Sequence, residues 1–395
     1  GESQMGAISV VYPLGQVVVG LGLLFGNGAA SYISRLLGRG DKENADKVAS
    51  TALYSSVSVG AVIIIISMVF LHPILKLLGA TDSILPYAAT YAGIYIVSCI
   101  FNVFNVTMNN IVTSEGAAKT TMCALLTGAV LNIALDPLFI YVFDLGVAGA
   151  AIATAISQVV STCVYLTYIF RKKSVFHFRV KDCTYTKETM SEIFKIGIPT
   201  LVFQILTSVS ISLINNAAGD YGDSAIAGMG VVTRLISMGS LSVFGFIKGF
   251  QPIAGYSYGA KKFDRLREAI KTSILWSTVF CVIFGVILAL FPTAIVSQFT
   301  KGDAEMIRIG AASLRANGIS IMLFGFYTVY SSLFLALGKG REGFILGACR
   351  QGICFIPVIL LLPIVWGLNG IMYAQPIADV LSAVITVFMA IPLHK

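Results

Sequence analysis

The chain has 395 residues, of which 56% are hydrophobic and only 12% are charged. Soluble proteins carry about 25% charged residues, so this composition excludes a soluble globular protein of ordinary surface. The formal net charge of +8 would suit a nucleic-acid partner, but the positions of the basic residues, described below, exclude that interpretation.

Eleven runs are long enough to cross a bilayer, which requires about 20 mostly apolar residues. In chain order they lie near 5–37, 48–78, 84–112, 119–143, 147–170, 190–218, 224–257, 268–298, 305–336, 343–366 and 369–391. Because backbone groups in lipid must be satisfied within the span, these runs predict α-helices and an all-α integral membrane protein.

Basic residues occupy alternate connections between these spans. The largest group, between the fifth and sixth spans, consists of Arg171, Lys172, Lys173, Arg179, Lys181 and Lys187. Cytoplasmic loops carry an excess of Lys and Arg, so the pattern is a topology signal and predicts a cytoplasmic C-terminus. The positive charge therefore reflects the orientation of the chain in the lipid bilayer, and it does not indicate a nucleic-acid partner.

The sequence repeats itself at an offset of 221 residues. The matched pairs include Gly1 with Gly222, Val10 with Val231, Gly146 with Gly367, Gly149 with Gly370 and Ser161 with Ser382. Between the two ends the register is expected to slip by about two residues, where Gly40 matches Gly259.

The repeat predicts the domain organisation. The run at 190–218 has no counterpart after Gly1, so we expect a further helix before residue 1, and twelve spans of which eleven are visible here. The prediction is two six-helix bundles in a parallel pseudo-repeat: an N-lobe at 1–170, a basic cytoplasmic linker at 171–187 and a C-lobe at 188–395. Parallel repeats of this kind are typical of transporters.

Ionisable residues within spans are costly in lipid and therefore suggest function. Asp136 lies in the fourth span, and Asn132 shares its helix face at the i, i+4 spacing. Pro137 follows and predicts a kink. With Thr154 of the next span, these oxygens would suit Na⁺, or the carboxylate would take H⁺. A purely structural contact between helices is the alternative.

Two further groups of charges lie within spans. Asp379 is the second intramembrane acid, and Arg350 or Arg315 is the expected partner of its carboxylate, in a structural or a functional role. Arg234 and Lys248 lie in the seventh span, where snorkelling of their side chains towards an interface is favoured over substrate contact.

Polar stripes on two spans predict a cavity or a packed bundle interior. Three asparagines recur on one face of the third span, with aromatic and methionine side chains beside them, and amide and hydroxyl groups mark the sixth span. The predicted substrate-facing residues, with the acid of the last span, are Phe101, Asn102, Asn105, Met108, Gln204, Ser208 and Asp379.

Three stretches carry a resemblance to a known family. The residues at 28–38, at 135–145 and at 192–199 are the most specific. The chain resembles the multidrug and toxic compound extrusion (MATE) family, nearest to its MepA-like bacterial branch, over its whole length. The resemblance implies two six-helix lobes, a V-shaped cavity, and drug efflux driven by inward H⁺ or Na⁺ across a bacterial plasma membrane, by a monomer without a further cofactor.

The resemblance also implies a site for the coupling ion. It assigns four residues to an N-lobe cation site: Asn132, Asp136, Thr154 and Asn109. The acids that some relatives use in the C-lobe are not evident, since those helices offer Gln204 and Arg315 instead, so coupling through the N-lobe is expected.

The predicted function is therefore secondary active export of small cationic, lipophilic drugs by H⁺ or Na⁺ antiport, with alternating access. A lipid-linked oligosaccharide flippase of the same superfamily is the first alternative. It would need several basic residues along its cavity, and only Arg234, Lys248 and Arg315 are available. A membrane-embedded enzyme is the second alternative. It would need a convincing nucleophile, metal or acid–base pair in the spans, and the sequence offers no histidine cluster or zinc motif.

Overall fold

A computed structural model describes residues 2–78 and 80–394, which are predominantly helical and contain no strand. In chain order the α-helices of these residues are α1 (Glu2–Gly38), α2 (Lys42–Val69), α3 (Leu71–Leu77), α4 (Leu85–Ser114), α5 (Ala118–Pro137), α6 (Val147–Phe170), α7 (Lys187–Gly219), α8 (Asp223–Gly259), α9 (Phe263–Leu290), α10 (Pro292–Ser297), α11 (Ala304–Ser320), α12 (Phe324–Ala336), α13 (Gly340–Ala348), α14 (Phe355–Trp366) and α15 (Leu368–Leu393).

Eleven spans within the described residues are long and apolar enough to cross a membrane. Three of them contain a turn that is not α-helical. A 3₁₀ turn at Ile321–Leu323 joins α11 to α12, and a π-helical turn at Cys349–Ile353 joins α13 to α14. A second π-helical turn, Leu138–Val142, follows α5. The structure confirms the predicted all-α membrane class and the number of visible spans.

The internal repeat is present in the helix boundaries. Helices α1 and α8 both have 37 residues, and α2 and α9 both have 28, and each pair begins and ends 221 positions apart. Gly146 (φ 60°, ψ −129°) and Gly367 (φ 62°, ψ −133°) share one unusual backbone conformation before α6 and α15. The matched Gly1 lies outside the described residues.

The structure corrects where the repeat slips. Because α1 ends at Gly38 and α8 at Gly259, Gly259 corresponds to Gly38 and not to Gly40. Gly40 corresponds instead to Lys261, and both have a positive φ, 81° and 57°. The slip begins in the connection before the next span, because Leu85–Ser114 and Ala304–Ala336 start 219 positions apart and end 222 positions apart.

The chain forms two compact units, Gly1–Leu201 and Val202–Lys395. The division falls within α7, two positions after Pro199, which lies inside this helix. The division into 1–170, 171–187 and 188–395 stays a prediction.

The segment at 171–187 packs on the first unit. The Tyr54 hydroxyl donates to the Phe178 carbonyl at 2.6 Å, and the Thr184 amide donates to Thr51 Oγ1 at 2.7 Å. Phe178 is also part of the apolar core of this unit. The segment is therefore fixed in place by hydrogen bonds and by burial.

Glu115, between α4 and α5, anchors the start of this segment. Its carboxylate accepts hydrogen bonds from the Tyr168 hydroxyl, from Ser174 Oγ at 3.0 Å and from the Val175 amide at 3.3 Å. Burial raises the pKa of the Glu115 carboxyl, and these donors oppose that shift.

Glu115→Gln is expected to remove one pH-dependent contribution to stability. Since the folded-state pKa of Glu115 is raised, its contribution is fully present below the ordinary value of 4.5 and is lost as the pH rises through the folded pKa. The unfolding temperature of the native protein should therefore rise relative to that of Glu115→Gln as the pH falls from neutral towards 4.5. Parallel melting curves of the two proteins in detergent would contradict this.

Helix α1 crosses the first part of α7 with the two backbones in contact. A Cβ atom at Gly28 would lie 2.1 Å from the Ile193 carbonyl oxygen, and one at Gly197 would lie 2.0 Å from the Leu24 carbonyl oxygen. Close helix crossings in membranes are built from small residues in this way. Neither Gly28 nor Gly197 can therefore be replaced by a larger residue unless the two helices move apart.

Candidate functional site

Asn132 and Asp136 lie one turn apart near the end of α5, and both side chains are half-buried. The Oδ1 atom of each is shielded from solvent and has no hydrogen-bond partner among the described residues. Pro137 ends α5 and cannot donate to the Ile133 carbonyl, and the π-helical turn follows it. Buried oxygens without donors are uncommon and need an explanation. Two such atoms on one helix face suit a bound cation or proton.

Thr154 of α6 lies level with this pair. Ser161 Oγ donates to the Ala124 carbonyl at 3.0 Å, which fixes the register of α5 against α6. In an antiparallel helix pair, this register places Thr154 opposite the turn that contains Asn132. Thr154 Oγ1 donates its hydrogen to the Ala150 carbonyl at 3.1 Å. Neither lone pair of this hydroxyl oxygen is used in that bond, so the oxygen can accept from or coordinate a ligand.

Tyr91 of α4 is a neighbour of Asp136 that sequence reasoning missed. The two side chains lie within electrostatic range of each other. The Tyr91 ring also stacks on that of Tyr95, with 5.5 Å between centroids. A tyrosine in an apolar span gives no sequence signal for such a role, because the register of α4 against α5 is not readable from one sequence.

The structure separates Asn109 from Asp136, contrary to the expectation from the resemblance. Asn109 lies about 27 Å along α4 from Tyr91, given a rise of 1.5 Å per residue. It is buried beside Tyr165 of α6. The reason is geometric, since α4 and α5 form an antiparallel hairpin, so the end of α4 lies near the start of α5 and not near its end.

Asn105 is part of the packing between α4 and α6. Its Nδ2 donates to Gln158 Oε1 at 2.8 Å, and its Oδ1 accepts from Thr162 Oγ1 at 2.8 Å. The side chain is buried and bonded at both ends of its amide, so this residue connects two helices of the first unit.

The other predicted substrate-facing residues differ in exposure. Met108 is fully buried in the apolar core of the first unit. Phe101 and Asn102 are half-buried on the same helix. In the second unit, Gln204 is half-buried, and the exposed Ser208 donates from Oγ to the Gln204 carbonyl at 3.4 Å. Met108 is therefore inaccessible in this structure, whereas the other four side chains are at least partly exposed.

Asp379 is the centre of a buried polar cluster in the second unit. Its Oδ1 accepts from Arg350 Nε at 2.8 Å and from Gln375 Nε2 at 2.9 Å, and its Oδ2 accepts from Ser320 Oγ at 2.9 Å. The Arg350 guanidinium also lies over the Phe324 ring, 4.6 Å from its centroid. Of the two partners expected for Asp379, the structure therefore places Arg350 against it.

The two intramembrane acids thus differ in their surroundings. The Asp379 carboxylate has a cationic partner and two neutral donors, whereas one oxygen of Asp136 has no donor within the described residues. No group of three or more His, Cys, Asp or Glu side chains in the described part of the chain could hold a metal ion. Asp136 is therefore the better candidate for reversible cation binding.

Comparison with known proteins finds one family model and relatives that are multidrug export proteins. Residues 1–138 and 199–361 match the MatE family model. The chain is 32% identical over 377 residues to the multidrug export protein MepA of Staphylococcus aureus (strain MSSA476), covering 95% of this chain and 83% of the relative. It is 32% identical over 384 residues to the protein of the same name from Staphylococcus saprophyticus, covering 97% and 84%.

Solved structures show the same fold. An outward-facing multidrug resistance MATE family transporter of the MOP superfamily superposes with a TM-score of 0.93 at 25% identity, over 98% of this chain and 87% of that one. A MATE protein in complex with MaL6 gives a TM-score of 0.93 at 25% identity, over 98% and 88%.

Proposed function

This chain belongs to the MatE family of membrane transporters, and from that premise we propose that it exports drugs as a secondary transporter driven by H⁺ or Na⁺. The curated relatives, named for multidrug export, support this proposal over an enzyme. We propose small cationic, lipophilic compounds as the substrates, and a cytoplasmic C-terminus in the plasma membrane of a bacterium.

The proposed coupling rests on two buried oxygens on α5 that have no hydrogen-bond partner in the part of the chain that the structure describes. A carboxylate and an amide oxygen, shielded from solvent within a span, carry a desolvation cost unless they bind a partner. A proton or Na⁺ at Asp136, with Asn132 and Thr154 as neutral oxygen ligands, would remove that cost. Cation binding at Asp136 is therefore favoured by the surroundings of this carboxylate.

The proposed cycle uses competition for this negative charge. Binding of the coupling ion at Asp136 would displace a cationic drug on the outer side, and release of the ion on the inner side would restore the affinity for the drug. A ligand shifts a conformational equilibrium only by its difference in affinity for the two states. The proposed cycle therefore requires that the ion-bound and the drug-bound protein favour opposite-facing states, with one cation excluding the other from Asp136.

Dye efflux from proteoliposomes tests this proposal. A fluorescent lipophilic cation would be loaded, and H⁺ and Na⁺ gradients would be imposed separately on the native protein and on Asp136→Asn. We expect the active gradient to drive efflux in the native protein and at least about a tenfold loss in the variant, the scale of one lost charge-assisted interaction. Asp144→Asn is the matched control, since Asp144 is exposed and its φ of 52° is one that Asn adopts.

Full gradient-driven efflux retained by Asp136→Asn would exclude the assignment of Asp136. A native protein that is folded but moves the dye under neither gradient would favour the lipid-linked oligosaccharide flippase instead.

A further inference from the structure

The segment at 171–187, between α6 and α7, carries a concentrated positive charge. It contains one acid, Asp182, and six basic residues, namely Arg171, Lys172, Lys173, Arg179, Lys181 and Lys187. All six basic residues are exposed. None of them forms an ion pair with another residue in the described part of the chain. A surface with so much uncompensated charge of one sign attracts an anionic partner.

The contacts of this segment place it at the depth of the lipid headgroups. The charged residues at the start of α2 end at Lys47, and the next charged residue along the chain is Lys76. Thr51 and Tyr54, which bind the segment, lie one and two turns after Lys47. The segment therefore lies against the side of α2 where this helix passes from polar to apolar residues, which is the boundary between water and hydrocarbon.

Exposed apolar side chains accompany the basic ones. Phe170, Val180 and Tyr185 are 76%, 69% and 64% exposed. Aromatic side chains are enriched at the level of the headgroups, where one end of the residue can enter the acyl region. Clusters of four to eight Lys and Arg residues immediately beside the end of a span bind anionic lipids. The composition of this surface therefore fits a lipid better than a dissolved anion.

Lys172 stands at a position that suits glycine. Its φ is 55°, and it follows the end of α6 in a Schellman cap. The Lys172 amide donates to the Ile169 carbonyl at 3.0 Å, and the Lys173 amide donates to the Tyr168 carbonyl at 3.3 Å. A side chain at positive φ is costly, so glycine is the usual residue there. A lysine in this strained conformation indicates a use for its charge.

We propose that the segment at 171–187 binds the headgroups of anionic phospholipids in the adjacent leaflet, and that Lys172 is one of the residues that contact their phosphates. Ammonium and guanidinium groups form charge-assisted hydrogen bonds with phosphate oxygens. The bonds of Glu115, Tyr54 and Thr51 to the segment already fix its backbone. Lipid binding therefore requires little further ordering of the chain. The inference does not depend on which compound the protein exports.

The loop after α8 provides a matched control. Lys261 also has a positive φ, 57°, and its helix ends in the same pair of cap hydrogen bonds. The four basic residues of that loop are, however, accompanied by the acids Asp264 and Glu268. Arg267 also lies 3.6 Å from the Asp264 carboxylate. A change of Lys261 to glycine therefore alters the backbone as Lys172→Gly does, at a surface whose charge is partly compensated.

Native mass spectrometry of the purified protein in detergent tests the inference. Dioleoyl phosphatidylglycerol or dioleoyl phosphatidylcholine would be titrated onto the native protein, Lys172→Gly, Lys172→Arg and Lys261→Gly. We expect the native protein to prefer the anionic lipid, and Lys172→Gly to weaken its binding about fivefold, the scale of one basic residue near an anionic surface. Lys172→Arg should keep the native affinity, because it keeps the charge. Lys261→Gly should change it little.

The outcomes are distinct from effects on folding. Lys172→Gly removes backbone strain, so its melting temperature should be no lower than that of the native protein. Equal binding of the two lipids by the native protein, or equal losses in Lys172→Gly and Lys261→Gly, would overturn the proposal. Displacement of the bound phosphatidylglycerol by an equal concentration of glycerol 3-phosphate would also overturn it, since the surface would then recognise a dissolved phosphate and not a lipid.

Discussion

Arg350→Met is expected to lower the free energy of unfolding by about 3–5 kcal/mol, as removal of one partner from a buried ion pair does. The substitution would leave the Asp379 carboxylate buried with only Gln375 and Ser320 as donors. Side chains of both charged residues are less than a tenth exposed, so water cannot replace the guanidinium. Denaturant unfolding in detergent measures the effect.

An exposed pair in the same unit provides the control. Arg308 and Glu305 are in contact at the start of α11, and both are more than half exposed. Arg308→Met should leave stability nearly unchanged, because exposed ion pairs contribute little. The double variant Arg350→Met with Asp379→Leu should recover much of the lost stability, since it buries no charge. Equal effects of the two single Arg→Met changes would contradict this account.

Gly197→Ala is expected to be the second most damaging change, at about 3 kcal/mol, the upper end of the cost of overpacking. The added Cβ would lie 2.0 Å from the Leu24 carbonyl oxygen, and the contact is with backbone that no rotamer change can move. The crossing of α1 and α7 would have to open. Denaturant unfolding, with size-exclusion profiles to detect misfolded protein, measures the loss.

Gly93→Ala is the matched control for this prediction. Gly93 lies in the interior of α4, and an added Cβ would meet no heavy atom of the described residues within 4 Å. Because alanine is favoured over glycine in helices by about 1 kcal/mol, this variant should be as stable as the native protein or slightly more so. A similar loss in both variants would show that the close backbone contact is not the cause.

The sequence predicted what depends on composition and on spacing within one helix. Apolar runs give the spans, and the i, i+4 spacing places Asn132 and Asp136 on one face. The repeat was visible at its ends because turn glycines such as Gly146 and Gly367 are required by the positive φ. These features are local, so a single sequence carries them.

What could not be predicted depends on register between spans. The neighbour of Asp136 on α4 is Tyr91 and not Asn109, because an antiparallel hairpin pairs the start of one helix with the end of the next. The choice of Arg350 over Arg315 as the partner of Asp379 likewise depends on where separate helices meet. One sequence gives helix faces but not the depth at which two faces meet.

The position of the boundary within α7 has a consequence for synthesis of the protein. The first unit includes residues up to Leu201, so it extends through the basic segment and into the sixth visible span. Domains fold as units from the N-terminus while the ribosome is still translating. The first unit therefore cannot complete its packing until the α7 segment that contacts α1 has left the ribosome and entered the bilayer. A nascent chain stalled at the end of the fifth visible span would hold an unfinished crossing at Gly28, where a chaperone or a membrane protease could act.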